Sequence, residues 1–226
     1  MDYWPNLYDD KYAVLRIEKS LEFADIRPSM TVLDVGCHMG ELESYMPIEV
    51  MYNGIDHLNG HDIDGGFELD SKFDRIICLE TLEHLKYPKR TLLAIKDHLA
   101  DHGFAVISLP NEATLFHRIR SFLGTPDAEC FSECGKHLHL PSLNQAREFI
   151  REFLHIDGEV YYINPSASSS RQSYLGSIMK LIPDQLWQFL ANKLPSLFAR
   201  GWIFRCSKYA IPPTEDLEFG RNRKVA

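Results

Sequence analysis

Apolar and polar positions follow two rhythms along this chain. Val14, Ile17, Leu21 and Ala24 recur at helical spacing and predict a helix over Asp9–Ile26, with Asp9 or Asp10 placed to cap it. Thr31–Gly40 reads TVLDVGCHMG: a β-branched apolar run (Val32, Leu33, Val35) that ends in an acid and two glycines. With the helical-looking Glu41–Met46 behind it, this is a buried strand, a tight turn and a helix start. Further strands are predicted at Met51–Asp56, Phe73–Leu79, Gly103–Leu109, Ile156–Ile163 and Trp202–Ser207, and helices at Pro88–Leu99, Phe116–Pro126 and Leu143–Phe153. The pattern is that of an α/β domain.

Asn164–Arg200, between the last two strands, is too long for a turn. Its serine-rich lead, Ser166–Ser173, gives way to an apolar helical pair (Leu175, Ile178, Met179, Ile182, Trp187, Phe189, Leu190, Leu194, Leu197, Phe198) broken at Pro183 and Pro195. The expected organisation is one domain over residues 1–210 with a helical insertion at 164–200, then a polar tail at 211–226. At the start, Tyr3, Trp4 and Tyr8 form an aromatic arm, expected to pack on the core.

The 226 residues suffice for one α/β domain with an insertion, and 45% hydrophobic content supplies a core. A net charge of −8 argues against a large sequence-independent nucleic-acid footprint. Five cysteines show no disulfide framework, and there is no leader pattern or long apolar span. The expected setting is reducing and cytoplasmic.

The glycines of the first turn select its ligand. A dinucleotide fingerprint G-x-G-x-x-G counted from Gly36 requires glycine where His38 and Glu41 stand. Asp34, Gly36, His38 and Gly40 instead resemble D-x-G-x-G-x-G, motif I of class I S-adenosylmethionine-dependent methyltransferases, with His38 in place of the middle glycine. Asp56 ends the second strand about 20 residues on, where a carboxylate accepts from ribose hydroxyls. The resemblance covers Val32–Glu112 and is to the branch that includes ubiquinone-pathway O-methyltransferases and small-RNA 3′-end methyltransferases. It implies a doubly wound, seven-stranded, mostly parallel sheet with a reversed last strand. It also implies an S-adenosylmethionine site made by Asp34, Gly36, Cys37, His38, Gly40 and Asp56. Asp62 and Ile63 stand where the family places an acid and an apolar residue beside the adenine, and Leu79 and Glu80 face the methyl group.

Glu80-Thr81-Leu82-Glu83-His84 is the second informative stretch. If helical, it puts Glu80, Glu83 and His84 on one face, a set suited to a divalent cation. The matching segment is a metal site in both branches. In the RNA-modifying branch a histidine from a later H-x-H stretch completes it, and of His137-Leu138-His139 the better positional match is His139. Without a metal, Glu83 and His84 hydrogen-bond to loop backbone, and His139 or His84 serves as the base for a hydroxyl acceptor. Cys130 and Cys134 with the two later histidines match no common structural-zinc spacing closely.

The expected reaction is O-methylation of a small-molecule, lipid-linked or glycan acceptor. The competing expectation is a cofactor-binding regulatory or scaffolding protein without turnover. The apolar stretch 173–200 is the expected surface for a lid, a homodimer or a peripheral membrane contact.

Overall fold

The computed structural model describes residues 11–124, 137–163 and 183–209. The aromatic arm, Cys130 and Cys134, the first part of the insertion (164–182) and the polar tail lie outside the described residues. Six strands form one sheet: β1 (Thr31–Val35), β2 (Met51–Ile55), β3 (Phe73–Leu79), β4 (Leu99–Pro110), β5 (His155–Tyr162) and β6 (Gly201–Ser207). Their order is β2-β1-β3-β4-β6-β5. The pairs β1–β2, β1–β3 and β3–β4 are parallel, and β6 runs antiparallel to both β4 and β5. β6 is the reversed last strand that the sequence led one to expect.

Alternation along β4 sorts the core into two layers. Phe104 and Val106 face α1 (Lys11–Ala24) with Ile17, Ala24 and Leu42. Ala105, Ile107 and Leu109 face α2 (Pro88–His98) and α4 (Leu143–Arg151), with Leu92, Ile95, Ala146 and Ile150. α3 (Leu115–Phe122) follows β4. α5 (Asp184–Lys193) and α6 (Pro195–Phe198) lie between β5 and β6, and Pro195 starts α6. α1 is fastened at its end by Arg75, whose Nε donates to the Ala24 carbonyl (2.7 Å). No helix among the described residues is long and apolar enough to cross a membrane.

The described residues form six strands where the resemblance implied seven. Gly60–Asp70 is rich in glycine and aspartate, residues that disfavour strands. Its apolar residues Ile63 and Phe67 stand four apart, and both are buried in the core beside α2. Thr91 Oγ1 on α2 donates to the Ile63 carbonyl (2.7 Å), and His98 Nε2 accepts from the Leu69 N–H (2.9 Å). The segment is drawn onto α2, and β2 becomes the edge of the sheet.

Two tyrosines cross the sheet in the same way. Tyr52 on β2 reaches over Gly54 to donate to Asp34 Oδ2 on β1 (2.8 Å), and a Cβ on Gly54 would stand 3.0 Å from that hydroxyl. Tyr162, fully buried at the end of β5, passes over Gly201 to donate to Glu80 Oε1 (2.9 Å). A Cβ on Gly201 would fall on the Tyr162 ring and hydroxyl.

Candidate functional site

The site is built at the carboxyl ends of β1, β2 and β3, where parallel α/β sheets bind ligands. The loop after β1 has three left-handed residues, Gly36 (φ 81°), His38 (φ 49°) and Gly40 (φ 79°). The Gly36 N–H donates to the Ile55 carbonyl (2.8 Å) and the Gly40 N–H to the Cys37 carbonyl (2.7 Å), so the loop folds back over the end of β2. A Cβ on Gly36 would fall on the Thr81 side chain, whereas none of the described residues stands within 4 Å of the Cβ position of Gly40. The cradle is therefore packed from below at Gly36 and open above Gly40.

Asp56 ties this loop to the next. Its Oδ2 accepts from the His38 N–H (3.1 Å), and its Oδ1 accepts from the Leu58 N–H (2.9 Å) and lies 2.7 Å from His57 Nδ1. Each carboxylate oxygen has two lone pairs, so Oδ2 retains capacity for a ribose hydroxyl. Glu41 bonds His38 Nδ1 (2.9 Å) and accepts from the Met39 N–H (3.2 Å). Burial pushes the Cys37 thiol up to about 12, so it is a packing group and not a nucleophile. Asp62 is exposed and its Oδ1 accepts from the Gly65 N–H (2.9 Å). Ile63 is 5% exposed and packs in the core.

Burial raises the Asp34 carboxyl to about 7 against the Tyr52 hydrogen bond, which lowers it, while Glu41 and Asp56 raise it further. The folded chain thus holds a proton that the unfolded chain releases near pH 4. Stability falls as pH rises from about 4 to about 7, by on the order of 4 kcal/mol at most. Asp34→Asn is expected to flatten that slope and to melt above the parent at pH 8. Equal pH dependence in the two proteins, read by denaturant titration, would contradict this.

The E-x-x-E-H stretch is not the continuous helix expected. Glu80 is left-handed (φ 50°), and only Leu82–His84 forms a short 3-10 turn. The Glu80 N–H donates to Ser108 Oγ (3.0 Å); its carboxylate meets the Tyr162 hydroxyl and, at 3.4 Å, Arg16 NH1 from α1. Glu80 is thereby held by the sheet and does not join the group of ligand atoms that Glu83 and His84 enter. Leu79 holds the place expected of it, the last residue of β3.

Glu83, His84 and His137 come together instead, with one ligand atom from each lying within 4.8 Å of the others. His84 Nε2 and His137 Nε2 both stand 3.9 Å from Glu83 Oε1, and the two rings meet edge to face. Glu83 is 1% exposed, and neither carboxylate oxygen has a hydrogen-bond partner among the described residues. Its pKa is raised well above the carboxylate range by burial and then by the charge of Glu80.

His139, the expected ligand, points elsewhere. The N–H groups of Leu138 and His139 both donate to the Glu83 carbonyl (2.7 and 3.1 Å), and His139 Nε2 bonds the Leu85 carbonyl (2.9 Å). That docking presents His137 to the site. Sequence reasoning missed its partner Glu112, two residues past β4. Glu112 Oε1 stands 3.4 Å from His137 Nδ1 and 3.6 Å from Arg200 NH1, and its Oε2 is 4.0 Å from His117 Nε2. His137 and Arg200 push the Glu112 carboxyl down to about 2. The one available signal was its place at the end of LPNE, where a parallel strand gives way to a loop.

The group donors suit a ligand of two parts. The loop from Gly36 to Gly40 sets the Asp56 carboxylate beside it as an acceptor for hydroxyls. A buried carboxylate without donors among the described residues, beside two imidazoles, suits a cation. Residues 9–153 match the family model described as a methyltransferase domain. No curated protein matches the chain. Among solved structures, the chain resembles the N-methyltransferase NodS from Bradyrhizobium japonicum WM9, solved with S-adenosyl-L-homocysteine. The TM-score is 0.56 at 14% identity, over 90% of this chain and 91% of that one. A putative methyltransferase in complex with the Haloferax volcanii Trm112 methyltransferase activator gives 0.55 at 12% identity, over 92% and 93%. An S-adenosylmethionine-dependent methyltransferase from Clostridium acetobutylicum gives 0.53 at 14% identity, over 88% and 92%.

Proposed function

We propose a specific reaction from one premise: the chain belongs to the methyltransferase-domain family and is a class I S-adenosylmethionine-dependent methyltransferase. The proposal is transfer of the methyl group to an oxygen of a small-molecule, lipid-linked or glycan acceptor. The observation that carries it is the convergence of Glu83, His84 and His137.

S-adenosylmethionine supplies a methyl group already activated on a sulfonium. The chain's task is to hold it and to bring an acceptor oxygen in line. The Gly36–Gly40 loop and Asp56 would hold the cofactor, and Leu79 at the strand end would line its methyl-donating side. A divalent cation held by Glu83, His84 and His137 would bind two vicinal acceptor oxygens and lower a hydroxyl pKa. Glu112 holds the His137 ring from the Nδ1 side, which leaves Nε2 toward Glu83.

A second reading has its own support. A buried carboxylate short of donors also suits the N–H groups of an amine, and NodS is named an N-methyltransferase. Chelation separates the two. For oxygen transfer, activity is expected to vanish in a chelator and to return with Mg²⁺, Mn²⁺ or Zn²⁺. His137→Ala is expected to weaken metal binding by about 10-fold or more in calorimetry. Full activity in the chelator, toward amines alone, would overturn the metal and favour the amine.

A further inference from the structure

The sheet stops at β2, which has no neighbour on its outer side among the described residues. In β2 the Met51 N–H donates to Met30, and the Ile55 carbonyl accepts from Gly36 and Cys37, so Met51, Asn53 and Ile55 turn their backbone groups toward β1. Tyr52 and Gly54 therefore aim N–H and C=O outward. The Gly54 carbonyl takes the Asn59 side-chain amide (2.9 Å), and its second lone pair stays available.

Natural edges are blunted by charge, proline or a bulge, and the strand MYNGI has none of these. Large apolar side chains surround it in the open: Ile48 is 96% exposed, Met51 58% and Leu58 53%.

The edge is also self-complementary about Asn53. Tyr52 and Gly54 stand one position either side of it, Glu49 and His57 four, and Ile48 and Leu58 five. An antiparallel copy places Tyr52 against Gly54 of the other chain, and the Met51 end of each strand beside the Ile55 end of the other. Beyond the strand ends it brings the turn that carries Ile48 and Glu49 near the turn that carries His57 and Leu58 of the other chain, apolar near apolar and acid near imidazole, twice. A parallel copy would set each residue toward its like.

We propose that β2 pairs antiparallel with β2 of a second copy of this chain, on a two-fold axis at Asn53. The two six-stranded sheets then become one. Tyr52 and Gly54 of each copy exchange backbone hydrogen bonds with Gly54 and Tyr52 of the other, and the two Asn53 residues face each other as a non-hydrogen-bonded pair. This surface is separate from α5 and α6, where the sequence placed a dimer contact. A five-residue edge lies at the low end of interface sizes, so the dimer is concentration-dependent.

Sedimentation velocity of the full chain over about a hundredfold range of concentration is expected to show the mass climbing from one chain to two. Ile48→Lys with Met51→Lys, both on exposed residues remote from the cradle, is expected to raise the midpoint at least about 10-fold while S-adenosylmethionine affinity holds. Asn53→Cys is expected to give a covalent dimer under mild oxidation through that residue, identified by peptide mass spectrometry against the parent chain, because facing β-carbons in such a pair are about 5 Å apart. Met51→Cys is expected to give none, since its mate is Ile55. A monomer at every concentration overturns the proposal. So does a dimer indifferent to the lysines, or a monomer whose Tyr52 and Gly54 amides resist hydrogen exchange, which would mean that another segment of this chain covers the edge.

Discussion

Glu83→Gln is expected to lower turnover by about 100-fold or more and, in the same protein, to raise the melting temperature. The two effects share one cause. Glu83 is buried, its oxygens lack donors among the described residues, and its charge faces that of Glu80. Glutamine keeps the shape and cannot ionise, so it escapes the cost that the carboxyl carries once the unfolded chain ionises. For a chain of this size each kcal/mol of that cost is worth roughly 2–4 °C, measured in a chelator by differential scanning calorimetry. The sign has a pH signature. A carboxyl whose folded pKa is raised weakens the fold as pH climbs from the unfolded value toward the folded one. The gap between variant and parent should therefore be absent in acid and open as pH rises through the ordinary carboxylate range. A variant that melts below the parent at neutral pH would show that Glu83 has donors that stabilise its charge.

Gly36→Ala is expected to cost about 2–5 kcal/mol and to remove measurable cofactor binding. The left-handed backbone alone costs a residue with a Cβ about 1–2 kcal/mol, and forced overpacking about 1–3 more. Here the added carbon would fall on Thr81, which is 7% exposed and whose hydroxyl donates to Leu79 O (3.1 Å) or to Val35 O (3.3 Å). Thr81 cannot swing aside without abandoning both carbonyls. Adding Thr81→Ala should recover the steric part and leave the backbone part, so the double variant falls between parent and single variant in denaturant titration and calorimetry. Equal loss in the single and double variants would remove the clash from the account. Gly40→Ala is the control. It has the same sign of φ but open space around the new carbon.

The strands were legible because their signal is local. Val32–Val35, Phe73–Leu79 and Trp202–Ser207 are apolar runs that admit little else. The motif I turn was legible because left-handed positions demand glycine, and the exception, His38, is left-handed all the same. What could not be read depends on partners far along the chain. Glu80 breaks the expected helix because Ser108, Tyr162 and Arg16 hold it, the nearest of them 28 residues away in sequence. The choice between His137 and His139 is made by the Glu83 carbonyl, which takes the N–H groups of residues 138 and 139. Nothing within H-x-H says which ring will be presented. Glu112 gave no periodic signal, and its role rests on Arg200, the last residue of the insertion.

The tyrosines that cross glycines restrict how this chain can change over evolutionary time. A larger residue at Gly201 has no room while Tyr162 is present, and a smaller residue at 162 strips Glu80 of a hydroxyl donor. Each single step passes through a weakened intermediate, so the two positions drift only as a couple. Gly54 and Tyr52 stand in the same relation to Asp34. Among descendants of one ancestor, each glycine and its tyrosine should be inherited together or exchanged together.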